Sequence, residues 1–263
     1  MPRHLDYLPS LLTLLVCALM LIHGPIAQFN NYHDFADQST WLGIPHAGDV
    51  LSNLGFALVA LWGLNLMSHR SFTLLQEARY GYGLFLVALL LTAFGSGYYH
   101  LAPDNARLVW DRLPIALACA GLLAAVRAET VGTNNGLREA WALGALAVFG
   151  VLWWRATDLD GNGDLRFYLL FQILPLVLIP LWQAIHRAPR RDRLIFGLAI
   201  ILYVLAKLAE VYDHQLFGLL QAVSGHTLKH LLATGAAAVV VANLMAKTSG
   251  AEMERDLSTS CCS

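Results

Sequence analysis

The sequence predicts an all-α integral membrane helical bundle, and three observations carry that prediction. The 263 residues are 57% hydrophobic and only 13% charged, with a mean hydropathy of +0.55, a composition far from that of water-soluble domains. The apolar residues gather in eight runs, each approaching the ~20 residues that cross a bilayer as a helix. Arginine and lysine concentrate in alternate connections between those runs, and this asymmetry sets the orientation of a multi-pass protein. A formal net charge of −1 provides no basic footprint, which excludes nucleic acid as an expected partner.

The first run, Leu8 to Ile22, follows Arg3 as a secretory signal would. The downstream Gly24-Pro25-Ile26-Ala27 is a poor cleavage site, so an uncleaved helix or signal anchor over residues 1–27 is expected. Residues 28–49 form an acidic outer loop carrying Asp34, Asp37 and Asp49. The other runs are Val50 to Met67, Tyr82 to Leu101, Leu108 to Val126, Ala140 to Trp154, Phe167 to Ile185, Leu194 to Ala209 and His226 to Ala246, which makes 50–247 the bundle proper. Pro175 and Pro180 predict a kink that would widen a space for lipid. The polar residues from Thr248 predict a flexible cytoplasmic tail over 248–263. That tail holds Cys261 and Cys262, which do not make a C-a-a-X box, and Cys17 and Cys119 fall inside apolar runs, so no disulfide framework is expected.

With the N-terminus inside, the inner connections carry Arg3, then Arg70 and Arg79, then Arg127 and Arg138, then Arg187, Arg190, Arg191 and Arg193, then Lys247. The outer ones are acidic or mixed: Asp34, Asp37 and Asp49, Asp104 with Arg107, Asp158, Asp160 and Asp164 between Arg155 and Arg166, and Asp213. Both termini are therefore expected in the cytoplasm. The preference for arginine over lysine and the abundance of alanine match GC-rich coding, which points to a bacterial inner membrane.

Chemistry-bearing residues collect on the outer side. His226 and His230 are four apart at the start of the last run, so they share one helix face and can address one metal ion. His100 closes the third run and Asp111 opens the fourth at the same predicted depth, with Ser96 one turn before His100. Three imidazoles leave one tetrahedral position of Zn²⁺ open, as catalytic zinc requires, and the ion brings the pKa of water there to about 7. Asp111 is then placed to carry a proton and Ser96 to donate a hydrogen bond to an oxyanion. Ionisable groups inside a membrane are functional by default. His4, His23, His33, His69, His186 and His214 are read instead as satisfied interfacial or core groups, and Lys229 as a residue that snorkels from another face. Glu210 and Asp213 either orient a ligand histidine or lie at the interface. The segment Asp158 to Asp164 begins like an EF-hand but has Leu169 where the bidentate glutamate belongs, so it is read as a tight turn.

Ser96 with His100, Asp111, and His226 with His230 resemble, in identity and spacing, the alkaline ceramidase family within a wider superfamily of seven-helix membrane hydrolases. Ser52-Asn53-Leu54, opening the second run, is similar to that family's first-helix signature. The resemblance covers about Asp34 to Ala246. It implies a seven-helix core from Val50 with the N-terminal helix as an addition. It further implies Zn²⁺ on His100, His226 and His230, Ser96 and Asp111 as the catalytic pair, and hydrolysis of the amide of ceramide to a sphingoid base and a fatty acid on the non-cytoplasmic side. Animal members carry calcium just before the bundle. Asp34 and Asp37 fit the first positions of that site, and Asp49 is the nearest acid to a later one, so the segment is read either as a Ca²⁺ site with six to eight oxygen ligands or as a solvated loop with helix-capping aspartates. The superfamily also includes receptor-like and lipid-remodelling members, so the alternative is a protein that acts on a different amide or ester lipid, or is not catalytic. A structural metal needs neither Ser96 nor Asp111, and their presence favours the hydrolase. The pattern fixes no oligomeric state.

Overall fold

The computed structural model describes the backbone of residues 3–69 and 75–260 and the side chains of residues 5–69 and 75–248. Among the described residues, eight helices are long and apolar enough to cross a membrane, and the protein is an all-α multi-pass bundle that contacts the bilayer. The helices are α1 (Leu8–His23), α2 (Ala47–Leu51), α3 (Leu54–His69), α4 (Ala78–Leu101), α5 (Asn105–Thr130), α6 (Gly136–Leu159), α7 (Arg166–Ile185), α8 (Arg190–Val211), α9 (Asp213–Leu220) and α10 (Gly225–Ser260). The short α2 and the longer α3 together make the span Ala47–His69. Every expected apolar run lies inside one of these spans. The helices outrun the runs because polar end residues complete their first and last turns, as where the Asp104 carboxylate accepts from the Arg107 N–H at 2.7 Å to cap α5.

The spanning helices from α3 onward pack in sequence, and α10 lies against both α8 and α3, closing a ring. Outside the ring, α1 packs against α7 and turns Leu11, Leu14 and Leu19 outward. Lipid is as apolar as leucine, so close backbone approach rather than hydrophobic burial holds such helices together. At Gly95 a Cβ would come within 2.0 Å of the Trp110 carbonyl oxygen, and the missing side chain lets α4 press onto α5 beside Ser96 and Asp111. At Gly225 a Cβ would lie 2.2 Å from the Ala209 carbonyl oxygen, so α10 can start hard against the end of α8.

Some features were not expected. The loop before α2 contains a two-stranded antiparallel hairpin, Thr40–Trp41 with Ile44–Pro45, turned by Leu42 and Gly43 at positive φ, the conformation a two-residue hairpin turn needs. Two-residue strands are too short to show an alternating pattern. Pro175 and Pro180 lie inside one helix as expected, α7, while Pro114 inside α5 was not foreseen. The backbone of α10 continues as helix to Ser260, beyond the Thr248 boundary expected for a flexible tail. Cys17 and Cys119 are free thiols, while Arg70, Cys261 and Cys262 lie outside the described residues.

Candidate metal centre

The last turn of α4 and the first turns of α10 meet at one end of the bundle, bringing His100, His226 and His230 together. One nitrogen from each lies within 4.8 Å of the others, and all three residues are buried. The ring centre of His100 is 4.7 Å from that of His226 and 5.1 Å from that of His230. Both nitrogens of His100 and Nε2 of His230 are buried with no hydrogen-bond partner. Leaving such groups unpaired costs free energy, and a cation shared between imidazole lone pairs removes that cost. The triad could hold a metal ion, and among the described residues no other trio of His, Cys, Asp or Glu could.

The tautomer of His230 follows from its neighbour. Ser52, at the C-cap of α2, donates its hydroxyl hydrogen to the Asp49 carbonyl at 3.1 Å and lies 2.8 Å from His230 Nδ1. A hydroxyl has one hydrogen, so Ser52 must accept from Nδ1–H. The Nε2 lone pair is thereby left facing the other two histidines, the arrangement in which an outer partner orients a metal-binding imidazole.

The start of α10 is tied down from several sides. Ser224 accepts from the Thr227 N–H at 2.8 Å, an N-cap bond. Asp213, which opens α9, accepts from the His226 N–H at 2.8 Å through Oδ1 and from the Ala36 N–H at 2.9 Å through Oδ2. Sequence left Asp213 between orienting a ligand histidine and lying at the interface; its bonds go to backbone N–H groups, so it anchors the start of α10 rather than an imidazole ring.

The carboxylates expected to bind calcium go separate ways. Asp37 accepts from the N–H groups of Ser39, Gly48 and Asp49 at 2.9, 2.7 and 3.2 Å, and so caps the start of α2. Burial pushes its carboxyl up, but the bonds from Ser39, Asp49 and Gly48 outweigh this and hold it below the usual range. Asp49 is buried and accepts from the Ser224 and Thr227 hydroxyls at 2.8 and 2.6 Å, locking α2 to α10. Asp34 is exposed, with His214 Nε2 3.7 Å from its carboxylate. Backbone and hydroxyl donors occupy both oxygens of Asp37 and Oδ1 of Asp49, Asp49 Oδ2 is buried without a partner, and among the described residues Asp34, Asp37 and Asp49 do not come together as a ligand set.

Ser96 and Asp111 are both buried. The Ser96 hydroxyl lies beside the Asp111 carboxyl, and Ser96 Oγ and Asp111 Oδ1 have no hydrogen-bond partner. Next to Ser96, an apolar groove of about 440 Å³ runs along α4 and α5, lined by residues that include Phe94, Gly95, Trp110 and Pro114.

Lys229 departs from the sequence expectation. Three residues after His226 it stands one turn away on a neighbouring face, and its ammonium lies 2.7 Å from His226 Nε2 and 3.1 Å from a Glu210 oxygen. It faces the site because Glu210, on α8, holds it there. Lys207 pairs with the same carboxylate.

Two further residues escaped notice in the sequence. Phe35 packs edge-on against the triad, its ring centre 4.8 Å from His100 and 4.5 Å from His226. Arg112 is 1% exposed and stacks its guanidinium on Trp154 at 4.1 Å and on Tyr32 at 4.9 Å, contacts that offset part of the cost of burying a charge. An arginine inside an apolar run is itself a signal for an inward-facing polar group.

His33 is satisfied by the Tyr99 hydroxyl and Asn105, each at 2.8 Å, as a core histidine should be. In the Asp158 to Asp164 turn, Asp164 accepts from Arg166, Trp153 and the Ile26 N–H. Burial raises its pKa, but the Arg166, Trp153 and backbone hydrogen bonds dominate and bring it to about 2. No protein-family model, curated protein or solved structure matches the chain.

Proposed function

We propose that the protein is a zinc-dependent membrane amidase that hydrolyses ceramide or a closely related lipid amide, working on the non-cytoplasmic side of the membrane. The observation that carries this reading is the buried triad, with unpartnered nitrogens on His100 and His230, set one helical turn from a buried serine that lies beside a buried aspartate. His100, His226 and His230 would hold the ion. Zinc bound there supplies a polarised, acidified water for attack on a carbonyl.

The chain's own groups divide the remaining work. Asp111 holds the proton taken from water and delivers it to the departing amine nitrogen. Ser96 Oγ–H donates to the carbonyl oxygen as negative charge grows on it. Ser52 keeps His230 in the tautomer that offers Nε2 inward, and Phe35 covers the triad from the loop side, limiting water. The groove beside Gly95 belongs to helices that cross the bilayer, so an acyl chain of the lipid is its natural occupant. A structural metal needs neither the buried Ser96 nor the buried Asp111 beside it, which is why a hydrolase is favoured over a receptor-like protein.

The test is elemental analysis of the detergent-purified chain and of His226→Ala, with fatty-acid release from ceramide measured on the same samples. About one zinc per chain, lost together with hydrolysis in the variant, is the expected outcome. Zinc without hydrolysis of any amide or ester lipid would rule out the enzyme, and an absence of metal would rule out the centre.

A further inference from the structure

Lys229 occupies a chemically exclusive position. Its ammonium has only N–H groups to offer, so at 2.7 Å from His226 Nε2 it must donate to the lone pair of that nitrogen. A neutral imidazole has a single lone-pair nitrogen, the other carrying hydrogen. While the bond to Lys229 stands, His226 has no lone pair left for a metal, whichever nitrogen faces the triad. His230 differs, since Ser52 takes its N–H and leaves Nε2 free, and His100 keeps both nitrogens unpartnered.

We propose that Lys229 is a built-in competitor for the metal, a cation that holds His226 until a metal ion displaces it, with Glu210 as the place it retreats to. Glu210 already accepts from the same ammonium at 3.1 Å, so the lysine can release His226 without losing its ion-pair partner. Lys207 on the same carboxylate keeps Glu210 paired when Lys229 is absent. Both Lys229 and Glu210 are largely shielded, with side-chain exposures of 13% and 18%, so their attraction is only partly screened. Displacement makes metal binding weaker than three histidines alone would give, and it makes the occupancy of the centre responsive to the supply of metal. The same ammonium repels any cation that does not bond His226 strongly enough to replace it.

The inference rests on the triad being a metal site, and the experiment separates the two. Zinc affinity is measured on the detergent-purified full chain by competition with a chromophoric chelator, for the unmodified protein and for Lys229→Met, Lys229→Arg and Glu210→Gln. Removing the charge-assisted bond to His226 should tighten zinc binding by about tenfold or more in Lys229→Met. Lys229→Arg should stay near the unmodified affinity, and Glu210→Gln should weaken binding because the ammonium loses its retreat. Circular dichroism confirms that each variant is folded, and Glu210→Gln carries the test if Lys229→Met is not. Equal affinity in all four proteins, or weaker binding in Lys229→Met, would overturn the inference while leaving the centre intact. Weaker binding would make Lys229 a residue that positions the His226 ring for the metal instead of competing with it. No zinc on any of the four would remove the centre and the inference together.

Discussion

Ser52 Oγ sits 2.8 Å from Nδ1 of His230, so a residue at the head of the bundle's first spanning helix fixes the ring orientation of a ligand on its last. The serine acts as an acceptor because its hydrogen is committed to the Asp49 carbonyl. Replacing it by alanine leaves Nδ1–H without a partner and the ring free to turn. We expect Ser52→Ala to weaken zinc binding by roughly 10- to 100-fold with the fold intact, measured by chelator competition. An unchanged affinity would mean that packing alone orients His230.

Asp111 offers a partner-free oxygen in a buried setting. In Asp111→Asn the shape persists and the proton carrier is gone, so turnover of ceramide should fall by about 10²- to 10⁴-fold while zinc content stays near that of the unmodified protein. Loss of both together would show that the aspartate holds the centre together rather than serving the reaction.

Gly95→Ala puts a Cβ 2.0 Å from a backbone oxygen of Trp110, an atom that cannot rotate out of the way. Separating α4 from α5 enough to admit it should cost on the order of 1–3 kcal/mol, seen as a lower thermal midpoint in detergent, and should depress hydrolysis by shifting Ser96. Gly97→Ala is the control, because nothing lies within 4 Å of its Cβ position. Similar losses in both variants would contradict the close approach.

Strong acid should release the Asp164 turn. Its pKa is lowered from 3.8 to about 2 in the folded chain, so its contribution is present above pH ~4 and is lost as the pH falls toward 2. That difference corresponds to about 2 kcal/mol. Asp164→Asn should therefore be less stable than the unmodified protein at neutral pH, and the gap should narrow as the solution is acidified from pH 4 to pH 2. Parallel stability curves over that interval would exclude the linkage.

The spans could be read from the sequence because each is a long uniform signal that needs no knowledge of its neighbours. The depth at which His100, His226 and His230 meet followed from counting spans, and the structure places them together. Partnerships between elements were hidden. Whether Lys229 snorkels or faces the site depends on Glu210 from α8, and periodicity on α10 says nothing about α8. Asp37 and Asp49 look the same in a string of letters whether oxygens serve calcium or cap α2 and clasp α10, since the backbone donors that claim them leave no mark in the sequence. Phe35 lies in a loop, where no repeat indicates which way a ring points.

The three histidines come from the third and the eighth spanning helices, with most of the bundle between them. During synthesis His100 is inserted long before His226 and His230 leave the ribosome, so no partly made chain has the full triad. An ion held by all three could be captured only as a closing event of biogenesis, and a chain truncated before α10 would have a solitary imidazole and no centre. Such an ion would report completion of the whole insertion sequence.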